Sequence, residues 1–244
     1  EKLPIKIWAA SIEESAMQQA RNMANLPFAF RHIALMPDVH AGYGMPIGGV
    51  LATKNVIIPN AVGVDIGCGM CAQKTDLIHL SIIELKEIMS GIRKRIPLGF
   101  KHHKQKQLID YMPPSTVSVK KGIVEQELDH ARDQIGTLGG GNHFIEIQQG
   151  KDGYLWIMVH SGSRNLGHTV ASYYNKLAKQ LNAKWHTGIE KSVDLAFFPL
   201  DSREAQNYLL EMQFCIDFAF ANRKLMMARI LEVMHDVSKT GFRE

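Results

Sequence analysis

Met17, Ala20 and Met23 recur at three-residue spacing behind Ser11-Ile12-Glu13-Glu14. That tetrapeptide reads as a capping box and predicts a helix to about Asn25. Ser81-Ile82-Ile83-Glu84 repeats the signature and predicts a second helix to about Ile96. Further helices are expected near Glu125 to Gln134, over Thr169 to Leu181, and from an Asp201-Ser202-Arg203-Glu204 cap to about Asp236. Between Ile33 and Asp76 the texture changes: apolar and β-branched residues alternate among Gly42, Gly44, Gly48, Gly49, Gly63, Gly67 and Gly69. This predicts short strands joined by tight turns, with little helix. His143 to Gln148 and Tyr154 to His160 read as two strands, with Lys151-Asp152-Gly153 as their turn. Pro97, Pro113 and Pro114 break all periodicity, so 97 to 121 reads as loop. Strands and helices without a regular βαβ rhythm predict an α+β fold.

With 244 residues, 45% hydrophobic and 21% charged, the chain excludes disordered, collagenous and coiled-coil classes. It is long enough for one large domain or two small ones. No window approaches the roughly 18 consecutive apolar residues of a membrane helix. Glu1-Lys2-Leu3-Pro4 shows no signal peptide and no starting Met, so the chain reads as processed or cropped. Three cysteines are too few and too odd for a disulfide framework, which points to a reducing, cytoplasmic compartment. The net charge is +4, which permits nucleic acid as a partner without demanding it. Histidine is the anomaly, at eleven residues.

Four segments could carry chemistry. In Asp65-Ile66-Gly67-Cys68-Gly69 a carboxylate and a thiol three residues apart could reach one cation. The plainer reading is a buried Cys beside a turn Asp. Cys68 and Cys71 form a C-x-x-C, but glycines around Cys68 disfavour the helix of a redox pair. Cys215 reads as a core residue of the last helix. In Gly139-Gly140-Gly141-Asn142-His143-Phe144-Ile145-Glu146 a glycine triplet bares N–H groups suited to phosphate. A strand here would point His143 and Ile145 one way, and Asn142, Phe144 and Glu146 the other. The plainer reading is a glycine hairpin with a satisfied His. In Trp156-Ile157-Met158-Val159-His160-Ser161-Gly162-Ser163-Arg164 a strand ends in His, and Arg164 suits bidentate phosphate recognition or is simply a surface Arg. In Met36-Pro37-Asp38-Val39-His40 the Asp38 carboxylate could orient an imidazole or act as a general base, or merely cap a loop.

Each of these residues falls where a predicted strand meets a glycine turn. Asp, Cys and two His form a plausible set for a divalent cation. A thiolate can bridge two ions; thiolate and imidazole lean to zinc, while the carboxylate admits manganese. The stretch from Arg93 to Lys106 carries six Lys or Arg, two His and no acid. It could track a phosphate backbone, although a solvated basic loop is the plainer reading.

Taken together, Met36-Pro37-Asp38-Val39-His40, Gly63-Val64-Asp65-Ile66-Gly67-Cys68-Gly69-Met70, Gly141 to Glu146 and His160 to Arg164 resemble the RtcB family of RNA-splicing ligases. The resemblance extends over essentially the whole chain. It implies mixed sheets flanked by helices around a central metal-binding cleft, with 1–244 a single catalytic domain lacking its C-terminal part. It implies a ligase dependent on GTP and Mn²⁺ that joins RNA 3′-phosphate or 2′,3′-cyclic phosphate ends to 5′-hydroxyl ends in tRNA splicing and RNA repair. By motif, Cys68 would bridge two Mn²⁺, His143 would complete the first site, and Asp65 and His160 the second. Asn142, His143, Phe144, Ile145 and Glu146 would line the guanylate pocket. Asp38 and Arg164 match residues that serve catalysis and substrate phosphate.

The family's His-His-Asn motif and its His-Gly-Ala-Gly-Arg motif, whose His takes the guanylyl group, do not occur here. The chain is therefore expected to be the N-terminal part of a longer protein, since its last helix stops at Gly241-Phe242-Arg243-Glu244 without a natural end. Two competing expectations are a metal-dependent phosphodiesterase or phosphatase on RNA ends, and a truncated metal- and RNA-binding module that does not catalyse.

Overall fold

A computed structural model describes residues 1–114 and 119–238; residues 115–118 and 239–244, with the chain end at Gly241-Phe242-Arg243-Glu244, lie outside the described residues. The elements are mixed α and β, as the patterning predicts, and the chain divides into two compact units, each discontinuous in sequence. The first comprises 1–64 and 170–210, the second 65–169 and 211–244.

In the first unit β1 (Ile5–Ile7) pairs parallel with β2 (Ala29–His40), which pairs antiparallel with β3 (Ile47–Thr53). The parallel pair needs a crossover, and α1 (Glu14–Ala24) supplies it. This helix buries Ala16, Ala20, Met23 and Ala24, and Met23 joins Ile33, Leu35, Ile58 and Leu195 in one apolar cluster. The expected capping box at Ser11 does not form. The N-cap is Glu13, without a side-chain cap bond, and the Glu14 carboxylate that should reach back pairs with Arg21 at 2.5 Å. β2 is also longer than the expected short strands, at twelve residues, because a register shift between Leu35 and His40 accommodates Pro37. β4 (Val56–Ile57) and the short helix α2 (Pro59–Val62) follow, and β4 pairs with β8 (Phe198–Pro199).

The second unit is built on an antiparallel sheet ordered β5 (Gly69–Lys74), β7 (Leu155–Ser161), β6 (Phe144–Gln149). Burial alternates strictly along β7, so Leu155, Ile157 and Val159 face a core and Trp156, Met158 and His160 face away. That core is completed by Ile88 and Ile92 of α3 (Ile82–Arg95) and by Met226, Ile230, Val233 and Met234 of α6 (Arg203–Ser238). The capping box at Ser81 is complete: Ser81 Oγ accepts from Glu84 N at 3.2 Å, and the Glu84 carboxylate accepts from Ser81 N at 2.7 Å. The β6–β7 turn falls at Lys151-Asp152-Gly153 as expected, with Gly153 at φ +82°. α4 spans Ile123–Gln134.

α5 (Arg164–Trp185) begins five residues before the predicted Thr169. The reason is not local: the Gln134 side-chain carbonyl at the end of α4 accepts from Asn165 N at 3.0 Å and caps the helix from another element. The basic run from Arg93 is partly neutralised, since Arg95 pairs with Glu232 and Asp236, and Lys106 with Asp129. No helix of the described residues is long and apolar enough to cross a membrane.

The two capping sequences give a matched test. Ser81→Ala should lower unfolding free energy by about 1 kcal/mol, whereas Ser11→Ala should change it by less than about 0.5 kcal/mol. Equal losses by chemical denaturation would show that the two serines play the same part.

Candidate metal centre

Asp65, Ile66, Gly67 and Cys68 form a tight turn entering β5, closed by Cys68 N donating to Asp65 O at 3.1 Å. Ile66 is fully buried and anchors the turn, and Gly67 takes a left-handed φ of +76°. The side chains on either side of Ile66 are thereby presented together. Cys68 is exposed, and its Sγ lies 3.6 Å from His143 Nε2 and 3.1 Å from His160 Nε2. His143 Nε2 lies 2.8 Å from Asp65 Oδ2. Donor atoms of Asp65, Cys68 and His143 all lie within 4.8 Å of one another, and His160 meets the same thiol.

The His143 imidazole is oriented by the main chain. His143 Nδ1 lies 2.9 Å from the Leu138 carbonyl, which can only accept, so this nitrogen carries a proton. Nε2 can then donate to Asp65 only as an imidazolium, and otherwise offers a lone pair to a metal. His160 belongs to the outward face of β7 and meets Phe144 edge-on, with ring centroids 5.4 Å apart. His143 precedes β6 and sits in the turn, so the expected strand alternation does not govern it. Phe144 and Glu146 share the His160 face, while Ile145 packs into the core cluster. Asn142 is exposed, and the Glu146 carboxylate takes a hydrogen bond from Gln148.

The electrostatics are one-sided. Burial works to raise the Asp65 carboxyl, but hydrogen bonds from His143, Cys68 and the Ser163 amide prevail and hold it below the usual range. Cys68 is exposed as a residue, but its sulfur sits against Asp65, His143 and His160; this local desolvation, reinforced by the Asp65 charge and hydrogen bond, pushes the thiol up to about 12, with Arg223 opposing. Burial and the neighbouring His143 lower His160, favouring its neutral form. Gly162 makes room for this arrangement, because a Cβ there would overlap both carboxylate oxygens of Asp65.

Arg164 opens α5 at a left-handed φ of +59° and donates from Nε to Thr137 Oγ1 at 3.1 Å and from Nη2 to Gly99 O at 3.2 Å. Burial pulls its guanidinium below the ordinary range. Asp38 lies in the first unit, exposed on β2; the His40 ring is held by the main-chain carbonyl of Asp38, at 2.9 Å, rather than by its carboxylate. Cys215 is buried in α6, as expected, and Cys71 packs against the core cluster.

Two residues of this site escaped sequence reasoning. Arg223 of α6 is buried and donates from Nη1 to Gly67 O at 2.8 Å and Ser161 O at 2.7 Å, clamping the turns that bear Cys68 and His160. Its neighbour Asn222 donates to Gly162 O at 3.1 Å. Nothing local marks either residue within a helical run.

A family model described as the tRNA-splicing ligase RtcB matches residues 19–125 and 115–243. The chain belongs to the RtcB family. It is 36% identical to the RNA-splicing ligase RtcB of Escherichia coli K12, over all of this chain and 64% of that protein. It is 32% identical to the tRNA-splicing ligase RtcB of Thermococcus kodakarensis, over 93% of this chain and 57% of the relative. The RtcB of Nanoarchaeum equitans is 31% identical, over 92% of this chain and 57% of its own length. The chain thus spans less than two thirds of the length of these RtcB relatives.

Because the thiolate is the reactive form, Cys68, with its thiol at about 12, should react with iodoacetamide at pH 8 far more slowly than a free cysteine. Asp65→Asn removes a charge that raises the thiol, so alkylation should accelerate while staying slower than the free amino acid. Mass-spectrometric rates for the Cys68 peptide check both; no change, or slowing, in the variant would refute the coupling.

Proposed function

We propose that the chain holds the metal centre of a GTP-dependent RNA ligase that joins RNA 3′-phosphate or 2′,3′-cyclic phosphate ends to 5′-hydroxyl ends through a guanylylated histidine, in tRNA splicing and RNA repair. The observation that carries the reading is the meeting of the Cys68 thiol with two imidazoles, His143 held by a main-chain bond and His160 by its place on β7, beside a depressed carboxylate. That donor set fits divalent ions of the manganese and zinc range. The spacing favours one ion among Asp65, Cys68 and His143 and a second at Cys68 and His160. The two oxygens of Asp65 would let it serve the second as well.

Two Mn²⁺ ions bound here would supply neutralising charge for the phosphates of GTP and RNA. Asn142, Phe144 and Glu146 line the guanylate side, with Ile145 contributing by its main chain and Arg164 meeting substrate phosphate. Asp38 is the candidate carboxylate of the first unit. The histidine that accepts the guanylyl group belongs to a His-Gly-Ala-Gly-Arg motif absent from these 244 residues.

Ligand protons must leave when a cation binds, so Co²⁺ or Mn²⁺ affinity should rise with pH, with proton release on titration. Co²⁺ should give a thiolate charge-transfer band that Cys68→Ser abolishes. In the full-length protein, Cys68→Ala should reduce transfer of label from α-labelled GTP, and RNA joining, by more than about 100-fold. Full activity in that variant would overturn the assignment. RNA-end hydrolysis without a covalent GMP adduct would replace it with the phosphodiesterase reading.

A further inference from the structure

Phe100 is completely exposed, at 103% of its reference area, at the tip of a turn that is fixed on both sides. Lys101 N donates to Leu98 O at 3.1 Å to close the turn, and Gly99 supplies its left-handed φ of +61°. On one side Gly99 N donates to Gly139 O at 2.7 Å, and Arg164 Nη2 donates to Gly99 O at 3.2 Å. Gly139 in turn lies against the His143 ring, since a Cβ there would stand 2.7 Å from Nδ1. On the other side His103 N donates to Asp133 O at 2.9 Å, and the His103 ring meets Arg229 at 3.0 Å. A bare phenyl ring is thus held by main-chain bonds, not by its own packing, next to the glycine turn that carries His143.

From Ile96 to Ile109 the loop that carries the ring has three lysines, two histidines and no acid, and Asp133 approaches it at His103. Arg95 and Lys106 are paired with acids, whereas Lys101 and Lys104 are exposed and have no acidic partner among the described residues. Isolated exposed apolar residues are ordinary on protein surfaces. A preorganised aromatic flanked by uncompensated lysines is the combination that binds single-stranded nucleic acid, with the base on the ring and phosphates on the ammonium groups.

We propose that Phe100 is a stacking platform for an unpaired nucleobase near the RNA end brought to the Asp65–Cys68–His143–His160 centre, with Lys101 and Lys104 holding the adjacent phosphates. This rests on the RNA-ligase reading and adds a subsite to it. Bases inside a duplex are stacked on both faces and only its end pairs offer one, so the subsite favours single-stranded ends.

The test is fluorescence anisotropy of a labelled single-stranded oligoribonucleotide bearing a 3′-phosphate, against the same sequence as a blunt duplex, with the wild-type chain and its variants. Phe100→Ala should weaken single-strand binding by about 5- to 100-fold. Phe100→Trp should restore it, with tryptophan quenching on titration. The pair Lys101→Ala and Lys104→Ala should flatten the salt dependence. Because Phe100 is exposed, thermal unfolding should be unchanged in each variant. If the wild-type chain binds the single strand and Phe100→Ala binds equally well, the platform is refuted and the ligase reading stands. If Phe100-dependent binding is found for an acidic peptide and not for RNA, the surface is a protein-docking site and the proposal fails. If the full-length protein neither binds nor joins RNA, the ligase reading itself has failed.

Discussion

Three turns in the second unit end in main-chain groups that no strand or helix can satisfy, and α6 satisfies them from within the core. Asn222, fully buried, accepts from Gly136 N at 2.7 Å and Thr137 N at 3.2 Å. Its amide donates to Thr137 O at 3.2 Å, Gly162 O at 3.1 Å and Ser161 Oγ at 3.2 Å. Arg223, the next residue, takes Gly67 O and Ser161 O. Buried backbone groups are almost always paired, and leaving one unpaired costs about 1–3 kcal/mol. The positions of Cys68 and His160 therefore depend on two adjacent side chains of one helix. His143 depends on them at one remove: the Leu138 carbonyl that fixes its ring also accepts from Ser161 Oγ at 2.8 Å, and that hydroxyl is held by Asn222. Removing the Asn222 amide would loosen the two histidines, and removing the Arg223 guanidinium would loosen Cys68 and His160, which is why the seating of α6 through Met226, Ile230 and Val233 is a condition for the site and not only for the core.

What could be read from the sequence followed from how local each interaction is. The Ser81 capping box is complete within four residues, and the β6–β7 hairpin is fixed by its own turn. The Ser11 box has the same Ser-x-x-Glu pattern but fails, and its Glu14 pairs instead with Arg21, two turns along the helix. The start of α5 was hidden because its cap comes from Gln134, and Gly167 in its first turns weakens the helical pattern. At the site, Asp65, Cys68, His143 and His160 were legible as chemistry-bearing residues stranded at glycine turns. Their orientation was not, since His143 lies outside the strand whose alternation was invoked. Asn222 and Arg223 act on carbonyls up to 156 residues away and have no pattern of their own.

The charge state of the centre argues for what completes it. A carboxylate held ionised and a thiol pressed toward its neutral form share one half-buried pocket, where the Asp65 side chain keeps only 32% of its exposure and His143 7%. Arg223 and Arg164 bring positive charge near, yet Arg223 spends its Nη1 bonds on carbonyls and Arg164 its Nε and Nη2 bonds on Thr137 and Gly99. Neither guanidinium forms an ion pair with Asp65. A divalent cation would answer both groups: it would stabilise the thiolate that Asp65 disfavours and accept a lone pair from His143 Nε2, whose other nitrogen is engaged by the Leu138 carbonyl. A purely structural cluster would gain more from an arginine turned onto Asp65, and two were within reach of the fold. Both are instead committed to holding the turns around the donors, which leaves the carboxylate facing His143 and the Cys68 thiol, the grouping on which the proposed cation site rests.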